Sequence, residues 1–351
     1  MRLAFLTATP LNVAQGSGTF AGVSTLARAL PALGAEVEII APQFDFPVYT
    51  ARRLWFNEQL RHRRWDAFDV VVGFDMDGYR VAGRARRPHV ASLKGVIADE
   101  MRFERGLTRL SMSIQAACEA RHVRRAGLVL TTSRYAAGRI QQLYGISRAP
   151  SVVPELIDLE RWRELFERNP APPDPAHFTV LSVCRFYPRK RLELLLEAAA
   201  RLRAGIPGLQ VRIVGNGPER ARLQAVWREK RLQGTVHWLG DLSQEELARE
   251  YNRSDVFCLP SVQEGFGIVL LEAMAAGKPI VAARAAAVPE VVEQGLLVEP
   301  ESAEALAGGI HRIYRDSDLR DSLRAAARAV VQRYDAPRVA AMFLAAVEPL
   351  R

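Results

Sequence analysis

Glu264 and Glu272 stand seven residues apart on either side of Gly265, Phe266, Gly267 and Ile268, and no other stretch of the 351-residue chain gathers as much usable chemistry. The run follows DVFCLPS, which reads as a buried strand, and leads into an apolar stretch. A helix is therefore expected to start near Gly267, with Glu272 in its second turn. A helix N-terminus offers unpaired N–H groups and a partial positive charge, and glycine on either side of Phe266 lets a ligand approach the backbone. These residues make a cradle for phosphate or sugar oxygens. A carboxylate at each end is suited to accept hydrogen bonds from vicinal hydroxyls. Polyol and phosphate together point to a nucleotide-sugar.

The elements that must position this cradle read as alternating strands and helices. LAFLTAT, a glycine loop, a helix that Ser24 or Thr25 can cap and Gly34 can end, and AEVEIIAP form a first βαβ unit. FDVVVGF and PHVASLKG follow as strands, then a helix over 106–125, strand LVLTT and a helix from Ser133 to Gly145. Between Arg161 and His177 the pattern breaks into the polar, proline-rich RNPAPPDPAH, which reads as a linker. The alternation then restarts at FTVLSVC and runs through PIVAA, with only helical pattern from Ser302 onward. This is an α/β chain of two doubly wound, Rossmann-like domains, each with a parallel sheet covered on both faces. Such sheets bind ligands at the carboxyl ends of their strands, so the site is expected in a cleft where the domains face each other.

Composition excludes several classes. With 49% hydrophobic and 25% charged residues the chain can build large cores and is not a disordered or fibrous protein. No apolar run approaches the roughly 20 residues of a membrane span, and MRLAFLTATP reads as a first strand rather than a signal peptide, so a cytoplasmic location is expected. Three scattered cysteines, Cys118, Cys184 and Cys258, read as reduced core thiols. The net charge of +9 comes from 48 basic residues of which only four are lysines, Lys94, Lys190, Lys230 and Lys278. That is an arginine bias rather than a nucleic-acid patch, so no nucleic-acid partner is expected. The six histidines are scattered without metal-ligand spacing, and GSGTFAG lacks the dinucleotide spacing, so neither a protein-held metal nor a nicotinamide cofactor is expected.

E-G-F-G-I-V-L-L-E followed by A-M-A-A-G-K-P-I-V resembles the EX7E signature of retaining glycosyltransferases with the GT-B fold, family 4. SVCRFYPRKRLELLLEAAARL resembles that family's diphosphate-binding strand and helix, and RIVGNGPER and VHWLGDLSQEELAREYNRSDVFCLPS resemble its next elements in order. The resemblance covers residues 178–310 and, more loosely, the amino-terminal half. It implies an acceptor-binding domain over 1–165, a linker over 166–177, a donor-binding domain over 178–333 and a last helix, 334–351, crossing back to the first domain. It implies transfer of a sugar from a UDP-, GDP- or ADP-sugar to a hydroxyl of a carbohydrate, small-molecule or lipid acceptor, with retention of configuration and without a metal.

Carried over residue by residue, the resemblance gives Arg185 and Lys190 the donor diphosphate, Glu272 the ribose hydroxyls and Glu264 the transferred sugar. Gly215 and Gly217 match a loop passing close to the nucleotide, and Ser17-Gly18 stands where the family usually has a Gly-Gly pair. The family commonly places a histidine near the end of the strand PHVASLKG, and here Lys94 holds that place. His89, five residues earlier, is roughly 16 Å away along an extended strand. A lysine there can meet departing phosphate or an acceptor anion, and Asp99 and Glu100 can line the acceptor side. Two alternatives stand beside this reading: a catalytically silent nucleotide-sugar-binding protein, and a membrane-peripheral transferase with a lipid acceptor. The second is suggested by ARRLWFNEQLRHRRW over 51–65, where five arginines interleave with Leu54, Trp55, Phe56 and Trp65. A sugar epimerase or phosphorylase on the same fold is a weaker third.

Overall fold

The β-branched runs of the sequence become two sets of six parallel strands in the computed structural model, which describes residues 1–9, 18–44, 47–84 and 86–350. The chain divides into two units, Met1–Leu156 with Ala336–Arg351, and Ile157–Asp335.

The first unit runs β1 (Arg2–Leu6), α1 (Gly18–Ala29), β2 (Glu36–Ile40), α2 (Tyr49–Leu60), β3 (Val70–Phe74), β4 (His89–Leu93), α3 (Ile97–Glu100), α4 (Gly106–Arg125), β5 (Leu128–Thr131), α5 (Arg134–Tyr144) and β6 (Ser151–Val152). Its sheet order is β2-β1-β3-β4-β5-β6. Both faces of β3 are buried, so its apolar residues are continuous rather than alternating. Phe5 meets Phe74 edge-on at 5.1 Å on one face, and Phe56, Leu60, Trp65 and Phe68 cover the other with Val71.

The second unit runs α6 (Leu159–Arg168), β7 (Phe178–Val183), α7 (Leu192–Leu202), β8 (Leu209–Val214), α8 (Arg220–Glu229), β9 (Val236–Gly240), α9 (Gln244–Arg253), β10 (Val256–Leu259), α10 (Ile268–Ala275), β11 (Ile280–Ala283), α11 (Val288–Val291), β12 (Leu296–Val298), α12 (Ala303–Arg315) and α13 (Ser317–Val331). Its order is β12-β11-β10-β7-β8-β9, so the chain builds outward from β7 to β9 and then returns to lay β10 on the opposite side of β7. That reversal is the point where doubly wound sheets open a crevice. The last helix, α14 (Ala336–Val347), belongs to the first unit, where Phe343 packs edge-on to Phe5 at 5.9 Å.

Some local expectations give way. Ser24 and Thr25 do not cap α1, which already starts at Gly18; Ser24 lies inside it and donates back to the Ala21 carbonyl at 3.2 Å. Val23 and Leu26 supply the buried stripe that carries this earlier start. Gly34 does end the segment, in a left-handed conformation with φ 78°. The polar stretch from Arg161 is helical as far as Arg168, because Asp158 accepts from the Arg161 N–H at 3.0 Å and Trp162 turns into the core. The change of unit falls at Leu156/Ile157, and the proline run lies inside the second unit. Ser133 and Gly145 cap α5 as its sequence suggests. All three cysteines are free; Cys184 and Cys258 are buried, which pushes the Cys184 thiol up to about 12.

Candidate active site

In the second unit the pairing of β7 with β10, Val180 opposite Val256 and Leu181 opposite Phe257, sets the two following loops side by side. The Val262 N–H donates to the Arg189 carbonyl at 3.0 Å and ties them together. Lys190 closes a short turn after β7, and Glu264 lies in the loop after β10. Lys190 Nζ donates to Glu264 Oε1 at 2.5 Å, and each side chain keeps only about a tenth of its surface in water. A buried pair of this kind is a weak stabiliser, since desolvation offsets its attraction. It does hold a cation and an anion ready at the sheet's switch point.

Gly267 caps α10 with φ 92°, a conformation that side chains rarely adopt, so glycine is required where the loop turns into the helix. The N–H groups at the start of α10 follow directly on Glu264, Gly265 and Phe266. Phe266 is buried against Tyr334 at 5.4 Å and faces the core, so it can serve a ligand through its backbone only. Glu272 sits in the second turn, and Tyr251, fully buried on α9, donates its hydroxyl to Glu272 Oε2 at 2.9 Å. Burial pushes the Glu272 carboxyl up to about 7, against the lowering effect of that hydrogen bond. Arg185, at the end of β7, reaches Asp241 Oδ1 at 3.4 Å from a more exposed position. Gly215 and Gly217 have packing reasons for being glycine. A Cβ on Gly215, at φ 115°, would overlap the Cys184 carbonyl, and one on Gly217 would stand 2.6 Å from the Phe186 nitrogen.

In the first unit Gly18 opens α1, and Ser17 lies outside the described residues. Lys94 follows β4 and is largely buried; its Nζ donates to Glu155 Oε2 at 2.9 Å and its N–H to Asp75 Oδ1 at the same distance. His89 begins the same strand and is buried, its Nε2 2.8 Å from that of His122. Asp99 is fully buried, with Arg102, Arg139 and Tyr135 around it, rather than open to a ligand. Within 51–65, Trp65 enters the core at 7% exposure while Trp55 stays 52% exposed. Among the described residues no group of three or more His, Cys, Asp or Glu is placed to hold a metal ion. Sequence reasoning missed Tyr251, Asp241 and Glu155, whose signals are spatial.

The loops after β7 and β10 thus bring together a lysine, two glutamates and a glycine-capped helix N-terminus at the switch point. Two family models match the chain: Glycosyltransferase Family 4 over residues 16–161 and Glycosyl transferases group 1 over 164–330. The chain belongs to the family 4 glycosyltransferases and has their two-domain GT-B fold. A GDP-mannose-dependent alpha-(1-6)-phosphatidylinositol monomannoside mannosyltransferase of Mycobacterium tuberculosis is 29% identical over 265 residues, 70% of this chain and 66% of that protein. A phosphatidyl-myo-inositol mannosyltransferase of Mycolicibacterium smegmatis is 36% identical over 48% of this chain and 45% of its own length. The matched stretch thus spans less than two thirds of these relatives. Among solved structures, sucrose-phosphate synthase from Thermosynechococcus elongatus aligns with TM-score 0.81 at 22% identity, covering 99% of this chain and 98% of that one. Anabaena HepE in complex with UDP and glucose aligns with TM-score 0.74 at 20% identity, covering 99% and 100%.

Proposed function

We propose that the protein is a retaining glycosyltransferase that moves a sugar from a nucleoside-diphosphate sugar to an acceptor hydroxyl without a metal held by the protein. The observation that carries this reading is the Lys190–Glu264 pair beside the N-terminus of α10 at the β7/β10 switch point. In this mechanism Glu272 accepts from the ribose hydroxyls, and Arg185, Lys190 and the α10 N–H groups meet the charge on the departing diphosphate. The bond from the anomeric carbon to the phosphate oxygen breaks while the acceptor oxygen bonds to the same face, and a phosphate oxygen takes the acceptor proton. Cations already in place at a developing charge supply the stabilisation that a metal supplies elsewhere. Glu264 positions the sugar. The test is a calorimetric titration against UDP, GDP and ADP with and without a chelator. Binding of one nucleotide, indifferent to the chelator and weakened in Glu272→Gln, supports the reading; binding of none refutes it.

A lipid acceptor is favoured by a surface of the first unit. Leu107 and Leu110, 85% and 59% exposed, lie with exposed Ile114 along one side of α4, and the Thr50–Ser111 hydroxyl contact at 2.6 Å brings the start of α2, with exposed Val48 and Tyr49, beside them. Arg102, Arg105 and Arg109, near in sequence, are also exposed. Exposed apolar side chains on an arginine-rich helix suit an anionic bilayer surface, and no helix among the described residues is long and apolar enough to cross one. Co-sedimentation with vesicles rich in phosphatidylglycerol, lost in the Leu107→Ser, Leu110→Ser double variant, supports this; undiminished sedimentation of that variant refutes it.

A further inference from the structure

Lys94 reaches its place through three residues that sequence reasoning does not connect. Glu155, just past β6, holds its ammonium at 2.9 Å, and both side chains are only 6% exposed. Gly22, in α1, makes the room: a Cβ there would overlap Glu155 Oε2 and stand 3.1 Å from Cδ. Asp75, just past β3, accepts the Lys94 N–H while holding a left-handed backbone at φ 52°, a conformation that is strained for a residue other than glycine. Stability does not account for the assembly, because an apolar replacement of a buried ion pair is often neutral or better. Its position at the carboxyl ends of the central strands is where doubly wound sheets place ligands.

Resting on the transferase reading above, we infer that Glu155 is a positioning residue, and that the Lys94–Glu155 pair as a unit presents N–H donors to a substrate oxygen. An ammonium paired with a carboxylate does this without net charge: one of its three N–H donors goes to Glu155 and the others serve a substrate oxygen. Glu155 fixes where those donors point. The other groups facing Lys94 are the Phe74 ring, 6.0 Å from Nζ, and Asp75; Arg53 and Asp77 surround Asp75, and Glu100 lies beside Gly95.

The experiment compares the full chain with Glu155→Gln, Glu155→Asp and Gly22→Ala, measuring steady-state turnover of the nucleotide-sugar whose base calorimetry identifies. Glu155→Gln is expected to lower kcat about tenfold or more with donor KM within about threefold. Glu155→Asp should recover part of kcat, and Gly22→Ala, which keeps both charges but crowds the carboxylate, should lower it. Unchanged kcat in Glu155→Gln, or a loss confined to KM, overturns the inference. Nucleotide binding separates this failure from that of the transferase reading: an intact chain that binds no nucleotide and turns over no donor refutes both.

Discussion

Nucleotide affinity should depend on pH through Glu272. The carboxyl titrates at about 7 because burial disfavours its charge, and in its proposed role it must be ionised to accept from two ribose hydroxyls. At one unit below that value about one molecule in eleven carries the charge, and at one unit above about ten in eleven do. If only the ionised form binds well, Kd rises about tenfold between pH 8 and pH 6, equivalent to about 1.4 kcal/mol. The diphosphate itself takes up a proton near pH 6, so the wild-type curve alone is ambiguous. Glu272→Gln removes the protein's titration and leaves the ligand's, and the difference between the two calorimetric series isolates the carboxyl. The same shift has a stability sign. A carboxyl whose folded value lies above its unfolded value favours the folded state below the unfolded value, and that contribution is lost as pH rises through about 7. Unliganded Glu272→Gln should therefore melt several degrees higher than wild type at pH 8 and equally at pH 4.5, while binding nucleotide less well. Parallel affinity curves for the two proteins from pH 6 to 8 would sink this reasoning.

Lys190→Ala should lower kcat by about 10²-fold or more with a smaller loss of nucleotide affinity, since the cation meets charge that grows in the transition state; equal losses in both would remove that role. Gly215→Ala should cost about 1–3 kcal/mol in urea unfolding, from the left-handed backbone and the overlap with the Cys184 carbonyl, and an unchanged midpoint would contradict the packing reading. Lys278 is a structural lysine. Its Nζ donates to the Asn252 and Ser254 carbonyls at 2.9 Å, and burial lowers its pKa to about 8. Between pH 8 and 10 the unfolded chain holds its proton and the folded one releases it, so wild type should gain stability over that range relative to Lys278→Met; matching slopes would rule this out.

The strands of both sheets other than β6 were legible because doubly buried strands need unbroken apolar runs, as in Val70–Phe74, and α4 was legible because no proline interrupts its length; β6, two residues long, is too short to show a pattern. The start of α1 was not, since Ser24 and Thr25 carry the capping chemistry that Gly18 lacks, yet tertiary packing of Val23 and Leu26 decides. Charged residues hid α6 in the same way, its apolar side being the narrow stripe of Trp162, Leu165 and Phe166. In the candidate site, Glu264, Gly267 and Glu272 are readable because one loop and one helix carry all three. Tyr251 arrives from α9, Glu155 from beyond β6 and Gly22 from α1; nothing in the spacing of a linear chain announces that these meet Glu272 or Lys94.

The membership of α14 in the first unit bears on the order in which the protein matures during synthesis. Domains ordinarily fold as units from the amino terminus as the chain emerges. Here Phe343, Val339 and Val347 complete the core around Leu3 and Phe5, so the amino-terminal sheet cannot close its apolar face until residue 336 and beyond have left the ribosome. The unit made second, Ile157–Asp335, is continuous and has all its parts first. The nascent first unit must wait with an open hydrophobic flank through the whole translation of its neighbour, and it is the half on which chaperone dependence should fall.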